Sequence, residues 1–265
     1  MSTTTSIFTL QQSPAAENSS QQVFTVALKP APVPGHTHVH SATNDAEPAA
    51  RDPHSFPTFD STTLTDLTQP ILYLPPLLSS LPERFPPAPA PNAEYPPLVT
   101  ETRLPDIDPA SLSLHKALHH FKPLNGDYAA LPYEEAFNWA ELELPEDDER
   151  EWYCVVFRSK RKAGSDSGPL YEADRKAHDE AVRNGGLIMY WYGIPDQKTG
   201  MNLATCIWQS RKHASAANSR PHHAEAMKLA ASSYEVYDLE RHVLRKAAGE
   251  QCVSIGPYRG GDVGW

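Results

Sequence analysis

From Glu151 onward the apolar residues fall into strand-like and helix-like runs in a clear order. EWYCVVFRSKR (151–161) is β-branched and aromatic, which predicts a strand. GPLYEADRKAHDEAVRNGG (168–186) carries Leu170, Ala173, Ala177 and Ala181 on one helical stripe, and Gly185 and Gly186 stop it. LIMYWYG (187–193) and NLATCIWQ (202–209) are two further strands joined by the turn IPDQKTG, a loop short enough to make them a hairpin. Ser210 is placed to cap a following helix. That helix is broken before Pro221, which opens a second piece at its first position and packs through Ala224, Met227 and Ala231. YEVYDLERHVLRK (234–246) closes the series as a strand.

The order β-α-β-β-α-β is two βαβ units joined by a hairpin, so the expected class is α+β, ferredoxin-like βαββαβ. Right-handed crossovers put both helices on one face of the sheet. The other face must also be covered, because Trp152, Cys154 and Val156 alternate with Tyr153, Val155 and Phe157 and both sets are apolar. A second copy of the sheet is the simplest cover and predicts a homodimer; the N-terminal arm is the competing cover.

The first 150 residues read differently. They hold 22 of the 26 prolines and 7 Lys and Arg against 20 Asp and Glu, a net of −13, whereas the remainder is +3. Dense proline with few apolar runs cannot offset chain entropy, which predicts a largely disordered acidic arm over 1–105. Within it, ILYLPPLLSSLPERF (71–85) is apolar, with Leu77, Leu78, Leu81 and Phe85 at roughly helical spacing. It fits a segment docked on its own domain or a partner-binding motif.

A helical or extended extension over 106–150, expected to pack on the domain, follows. In DPASLSLHKALHHF, Asp108 is a good N-cap and Pro109 a good first residue, with Leu112, Leu114, Leu118 and Phe121 as its contacts. Tyr133–Leu144 adds a strand or helix. The expected α/β domain runs from 151 to 248, and 249–265 is a Gly-rich, flexible tail.

Charge and cysteine usage narrow the function. Overall acidity argues against nucleic acid as a partner, and no apolar run reaches a membrane span. Cys154, Cys206 and Cys252 are odd in number and form no CxxC pair, so neither a disulfide framework nor a zinc site is expected. The opening MSTTTSIFTLQQ lacks a charged n-region and a long apolar core, so it does not read as a signal peptide; the absence of arginine before Arg51 weakens a mitochondrial reading. The expected compartment is the cytosol, with the nucleus left open.

The stretch GGLIMYWYG, NLATCIWQSRKHA, RPHHAEAM and YEVYDLERHVL resembles the antibiotic-biosynthesis-monooxygenase-like superfamily of dimeric α/β barrels. The resemblance rests on the boundary Trp208-x-Ser210-Arg211, on the helix interrupted before Pro221, and on the closing Tyr234-x-x-Tyr237-x-x-Glu240-Arg241-His242. More closely, Tyr128 to Lys246 is similar to an uncharacterised, largely fungal family, through PYEEAFNW, EWYCVVFRS, LYEADRKAHDEA and NLATCIWQSR. The superfamily holds oxygenases, isomerases and haem-degrading enzymes, with ligands between helices and sheet. RNA-recognition modules fit less well, since NLATCIWQ lacks their glycines and basic residue. The loop SKRKAGSDSGP does not match the anion loop of acylphosphatases.

Candidate residues follow from this frame. Trp152, Tyr190, Trp191, Tyr192 and Trp208 are the bulky aromatics available to line a ligand site. Asp174 and His178 are i, i+4 neighbours, and a carboxylate beside an imidazole fixes its tautomer and raises its basicity. Arg211 and His213 open a helix, where an anion is favoured. Glu240 and His242 share one face of the last strand, with Arg241 on the other. Each set also has a bland reading as core or solvated surface, and Cys154 and Cys206 read as inert core.

For metals, His115 and His119 stand i, i+4 but without an HExxH glutamate, and His36, His38 and His40 alternate in the arm; a solvated face and an incidental tract are the simpler readings, and no metal or cofactor is expected. No P-loop, GxSxG, HExxH or dinucleotide fingerprint appears. The leading expectation is a homodimer binding a small, partly aromatic molecule, with cofactor-independent oxidation or isomerisation in which His178 accepts the proton and Arg211 steadies an oxyanion. A non-catalytic platform with a partner-recruiting arm, and a haem-binding barrel, are the rivals.

Overall fold

The computed structural model describes residues 51–57, 69–78, 107–164 and 168–264. Its strands are β1 (Ile71–Tyr73), β2 (Arg150–Arg161), β3 (Leu187–Tyr192), β4 (Met201–Trp208), β5 (Tyr234–Lys246) and β6 (Ser254–Pro257). Its helices are α1 (Pro109–Ala117), α2 (Tyr133–Ala136), α3 (Gly168–Asn184), α4 (Arg211–Asn218) and α5 (Pro221–Ser233). Among the described residues the strands form one antiparallel sheet in the order β1-β3-β4-β2-β5-β6.

Local signals explain most of the boundaries. The Asp108 carboxylate accepts from the Ser111 N–H at 2.8 Å and Pro109 opens α1, which passes into a 3-10 turn over Leu118–His120. The Ser210 hydroxyl accepts from the His213 N–H and starts α4; Pro221 starts α5. Gly185 and Gly186, both at positive φ, end α3. At Gly186 the requirement is double, because a Cβ there would stand 2.1 Å from the ring of His213.

The two faces of the sheet are covered by different parts of one chain. Tyr153, Val155, Phe157, Tyr190, Tyr192, Ala204 and Trp208 pack under α3, α4 and α5, which meet them largely through alanines. Trp152, Cys154, Val156, Trp191, Leu203 and Leu244 pack under residues 107–144. There Phe121 stacks on Phe137 at 4.6 Å, Phe137 meets Trp191 edge-on at 4.9 Å, and the Trp152 indole donates to Ser111 Oγ at 2.9 Å. Arg158 clasps the same segment. It donates to the carbonyls of Ala129 and Leu131, each at 2.7 Å, and pairs with Glu240.

Several expectations change. The face assigned to a second copy is filled by the chain's own residues 107–144, which removes the apolar-face argument for a homodimer. The apolar stretch that begins at Ile71 lies on the chain's own domain, opening as an edge strand with Ile71 opposite Tyr192, and with Leu74, Leu77 and Leu78 buried behind it. The extended backbone wins there because the edge of β3 offers unpaired peptide groups. Leu81, Phe85 and the histidines at 36, 38 and 40 lie outside the described residues. Of the strand or helix expected over Tyr133–Leu144, the structure has the helical form, the short α2 and a 3-10 turn. The Gly-rich tail is part of the fold: β6 pairs with β5, and Val263 is buried and accepts from the Arg211 N–H at 3.0 Å.

Candidate functional site

Of the predicted candidates, Asp174 and His178 come together as expected from their spacing on α3, and both are buried against β3. His178 Nδ1 lies 2.9 Å from the Asp174 carbonyl oxygen and 3.1 Å from its Oδ2. Both are acceptors, so Nδ1 carries the proton. The Tyr192 hydroxyl closes the triangle, 3.1 Å from Asp174 Oδ2 and 3.1 Å from His178 Nε2. Its single proton serves one of these two contacts at a time. With Tyr192 donating to His178, the bare Nε2 of the neutral ring is the accepting atom; with Tyr192 donating to Asp174, Nε2 can donate to the Tyr192 oxygen only once the ring is an imidazolium protonated on both nitrogens. The neutral ring therefore presents Nε2 as a proton-accepting atom, with Asp174 on its Nδ1 side.

Tyr190 stands edge-on to His178 with ring centroids 4.3 Å apart and lies 4.2 Å from the ring of Tyr192. Burial first, and then the charge of Asp174, pushes the phenols of Tyr190 and Tyr192 well above their ordinary range, so both are donors at neutral pH. The Tyr190 hydroxyl is close enough to Tyr192 to perturb it, yet no described group meets it in hydrogen-bond geometry.

Sequence reasoning passed over His223 and Glu180. His223 is 1% exposed on α5, near His178, and neither ring nitrogen has a hydrogen-bond partner among the described residues. Burial, followed by the fields of His178 and His222, depresses its pKa to about 3. Glu180 accepts from the N–H groups of His222 and His223 at the start of α5, yet burial dominates and lifts its pKa to about 7. The buried side of α5 is His223, Ala226, Ala230 and Ser233, not the expected Ala224, Met227 and Ala231, of which the last is exposed; the i, i+3, i+7 spacing from His223 was the available signal.

The remaining candidates lie elsewhere. Arg211 sits at the start of α4 near Tyr153, and His213 is packed on Gly186 with Nδ1 2.8 Å from Ser210 Oγ. Glu240 and His242 do share a face, but it is the face under residues 107–144. His242 Nε2 is 3.2 Å from Glu240, its Nδ1 is 3.4 Å from Glu134, and its ring is 4.8 Å from that of Tyr133. The hydrogen bond from His242, aided by Arg158, holds the Glu240 carboxyl below its usual range. Trp152 and Trp191 also belong to that face, whereas Tyr190, Tyr192 and Trp208 lie under the helices. One-residue alternation along β2 and β3 makes the division. A separate surface cleft of about 370 Å³ runs along β5, β6 and the tail, lined in part by Val243, Tyr258, Arg259 and Asp262. It contains none of the predicted residues. No helix among the described residues is long and apolar enough to cross a membrane.

Comparison with known proteins gives one family. The model of the PB2B2.08-like family matches residues 94–257. A Schizosaccharomyces pombe protein, UPF0643 protein PB2B2.08, is 35% identical over 152 residues, covering 51% of this chain and 69% of its own. No solved structure matches. The chain belongs to the PB2B2.08-like family.

Proposed function

We propose that this member of the PB2B2.08-like family binds a small, partly aromatic molecule between α3, α5 and the sheet, with His178 as the proton acceptor. The observation that carries the reading is the buried Asp174–His178–Tyr192 triangle, with unsatisfied polar atoms of His223 and Tyr190 beside it. A buried polar group without a partner costs about 1–3 kcal/mol. A ligand carrying hydroxyl or carbonyl groups would supply those partners. Perturbed titratable groups gathered in a protein interior are the usual setting of acid–base chemistry.

The strand order β3-β4-β2-β5, with α3 and the α4–α5 pair on one face, supports a ferredoxin-like core of the kind used by monooxygenase-like barrels. The reading needs no second copy, since each face already has a cover. In the chemistry envisaged, His178 Nε2 takes a proton from an enolisable or phenolic substrate. Returning that proton at another carbon is isomerisation; passing the electrons of the resulting anion to dioxygen is oxidation. Arg211 is not part of this assignment, because its neighbours are Tyr153 and Val263.

The test is a panel of hydroquinones, phenols and 1,3-dicarbonyl compounds, followed by solvent deuterium exchange and oxygen uptake. The wild-type chain is expected to turn over at least one. His178→Ala should lower that rate by about 10²–10⁴-fold, the range of a lost general base, with unchanged far-UV circular dichroism. Equal turnover by His178→Ala would overturn the assignment.

The rival is a non-catalytic role, favoured by the near-complete burial of all three groups, which is also what a structural core network looks like. Absence of saturable binding across the panel, together with a His178→Leu variant more stable than wild type, would decide for that rival.

A further inference from the structure

We propose that His54 and His119 form a seat for one first-row divalent metal ion of the Zn²⁺ or Ni²⁺ type, which pins residues 51–57 to the end of α1. The two Nε2 atoms face each other at 3.0 Å. Which of them carries a proton follows from the other side of each ring. His54 Nδ1 lies 3.0 Å from the Leu74 carbonyl oxygen. His119 Nδ1 lies 3.1 and 3.0 Å from the carbonyl oxygens of His115 and Lys116. Carbonyl oxygens only accept, so both Nδ1 atoms are N–H donors. In the neutral imidazoles both Nε2 atoms are then bare lone pairs, pointed at one another.

Two lone pairs at that distance need a cation between them. A backbone carbonyl on Nδ1–H with Nε2 left free is also the outer-sphere pattern that orients histidine ligands. With metal–nitrogen bonds of 2.0–2.1 Å, the two nitrogens stand about 2.9 Å apart at a right angle and about 3.3 Å apart at the tetrahedral angle. The observed spacing falls at the lower end of this range and requires little movement.

The surroundings suit a labile, exposed site. His115 stacks near His54 with ring centroids 5.9 Å apart and donates from Nε2 to the Pro75 carbonyl at 3.2 Å. Among the described residues no three His, Cys, Asp or Glu side chains converge on one point, so water completes the coordination. The mechanical effect would be a clip. Arg51 already donates to the Leu72 carbonyl at 3.0 Å and the Leu74 N–H to Pro53 at 2.9 Å, so the ion would fasten the segment flanking β1 to α1.

The experiment uses the full chain, stripped with chelator, in a background where His36, His38 and His40 are glutamine. Zn²⁺ and Ni²⁺ are titrated against a chromophoric competitor. One equivalent should bind at micromolar concentration. His54→Ala and His119→Ala should each weaken it at least tenfold, while His222→Ala leaves it unchanged. A second readout is proteolysis after Arg51, which the metal should slow in the parent and not in His54→Ala. Binding indifferent to both substitutions, or none below millimolar metal, would overturn the proposal; the latter outcome leaves a shared proton as the cation between the rings.

Discussion

The two faces of the sheet are built on opposite plans. Under residues 107–144 lie stacked aromatics with most of their polar contacts made: the Trp152 indole on Ser111, the Tyr133 hydroxyl on Thr205, the Arg158 guanidinium on two carbonyls and Glu240, while His242 Nδ1 has no hydrogen-bond partner among the described residues. Under the helices the contacts are small, mostly alanine, and the interior holds Asp174, His178, His223, Glu180 and two tyrosines, with several polar atoms unsatisfied. The first face has the composition of a stability core. The second gives up stability to keep titratable groups out of water, and that asymmetry is the physical basis for placing function there.

The largest test of this contrast is Trp139→Ala. Its ring is buried against Phe121, Tyr133 and Phe137, so its loss should cost about 3–5 kcal/mol in denaturant unfolding. Arg158→Ala should cost about 2–3 kcal/mol, less than a fully buried pair because the Glu240 side chain is 34% exposed. On the helix face the sign should reverse. His223→Leu removes an imidazole without partners and should raise stability by about 1 kcal/mol. A loss of several kcal/mol in that variant would show the two faces to be alike.

The smallest net effect is on pH. His223, depressed to about 3 from 6.5, contributes stability above pH 6.5 that is lost as pH falls toward 3. Glu180, raised to about 7 from 4.5, acts the other way: its contribution is complete below pH 4.5 and is lost as pH rises through 7. The two oppose each other between pH 4.5 and 6.5, so wild-type stability should vary little there. His223→Leu should unmask a decline with rising pH, and Glu180→Gln a decline with falling pH, both read from urea midpoints. Parallel pH curves for all three proteins would contradict the assignment.

Much of the helix face was legible in the primary structure. The i, i+4 spacing of Asp174 and His178 is a local property of a helix, and the alternation of Tyr190 and Tyr192 is a local property of a strand. His223 was missed because the packing side of α5 was placed one position round the helix, on Ala224, Met227 and Ala231, where small residues on both sides give the periodicity little to separate. Glu240 and His242 were correctly read as sharing a face, but which cover that face would meet is not encoded in alternation.

The order of elements, the caps at Asp108 and Ser210, the breaks at Gly185 and Pro221, and the two apolar faces of β2 were all set by the chain locally, since propensity, capping and periodicity act over a few residues. Only the tertiary structure decided that residues 107–144 would roof the far face, that Ile71–Tyr73 would join the sheet edge, and that His54 would meet His119. Those choices compare contacts made across tens of residues against alternatives such as a second copy, and no local pattern carries the energy of a contact that distant.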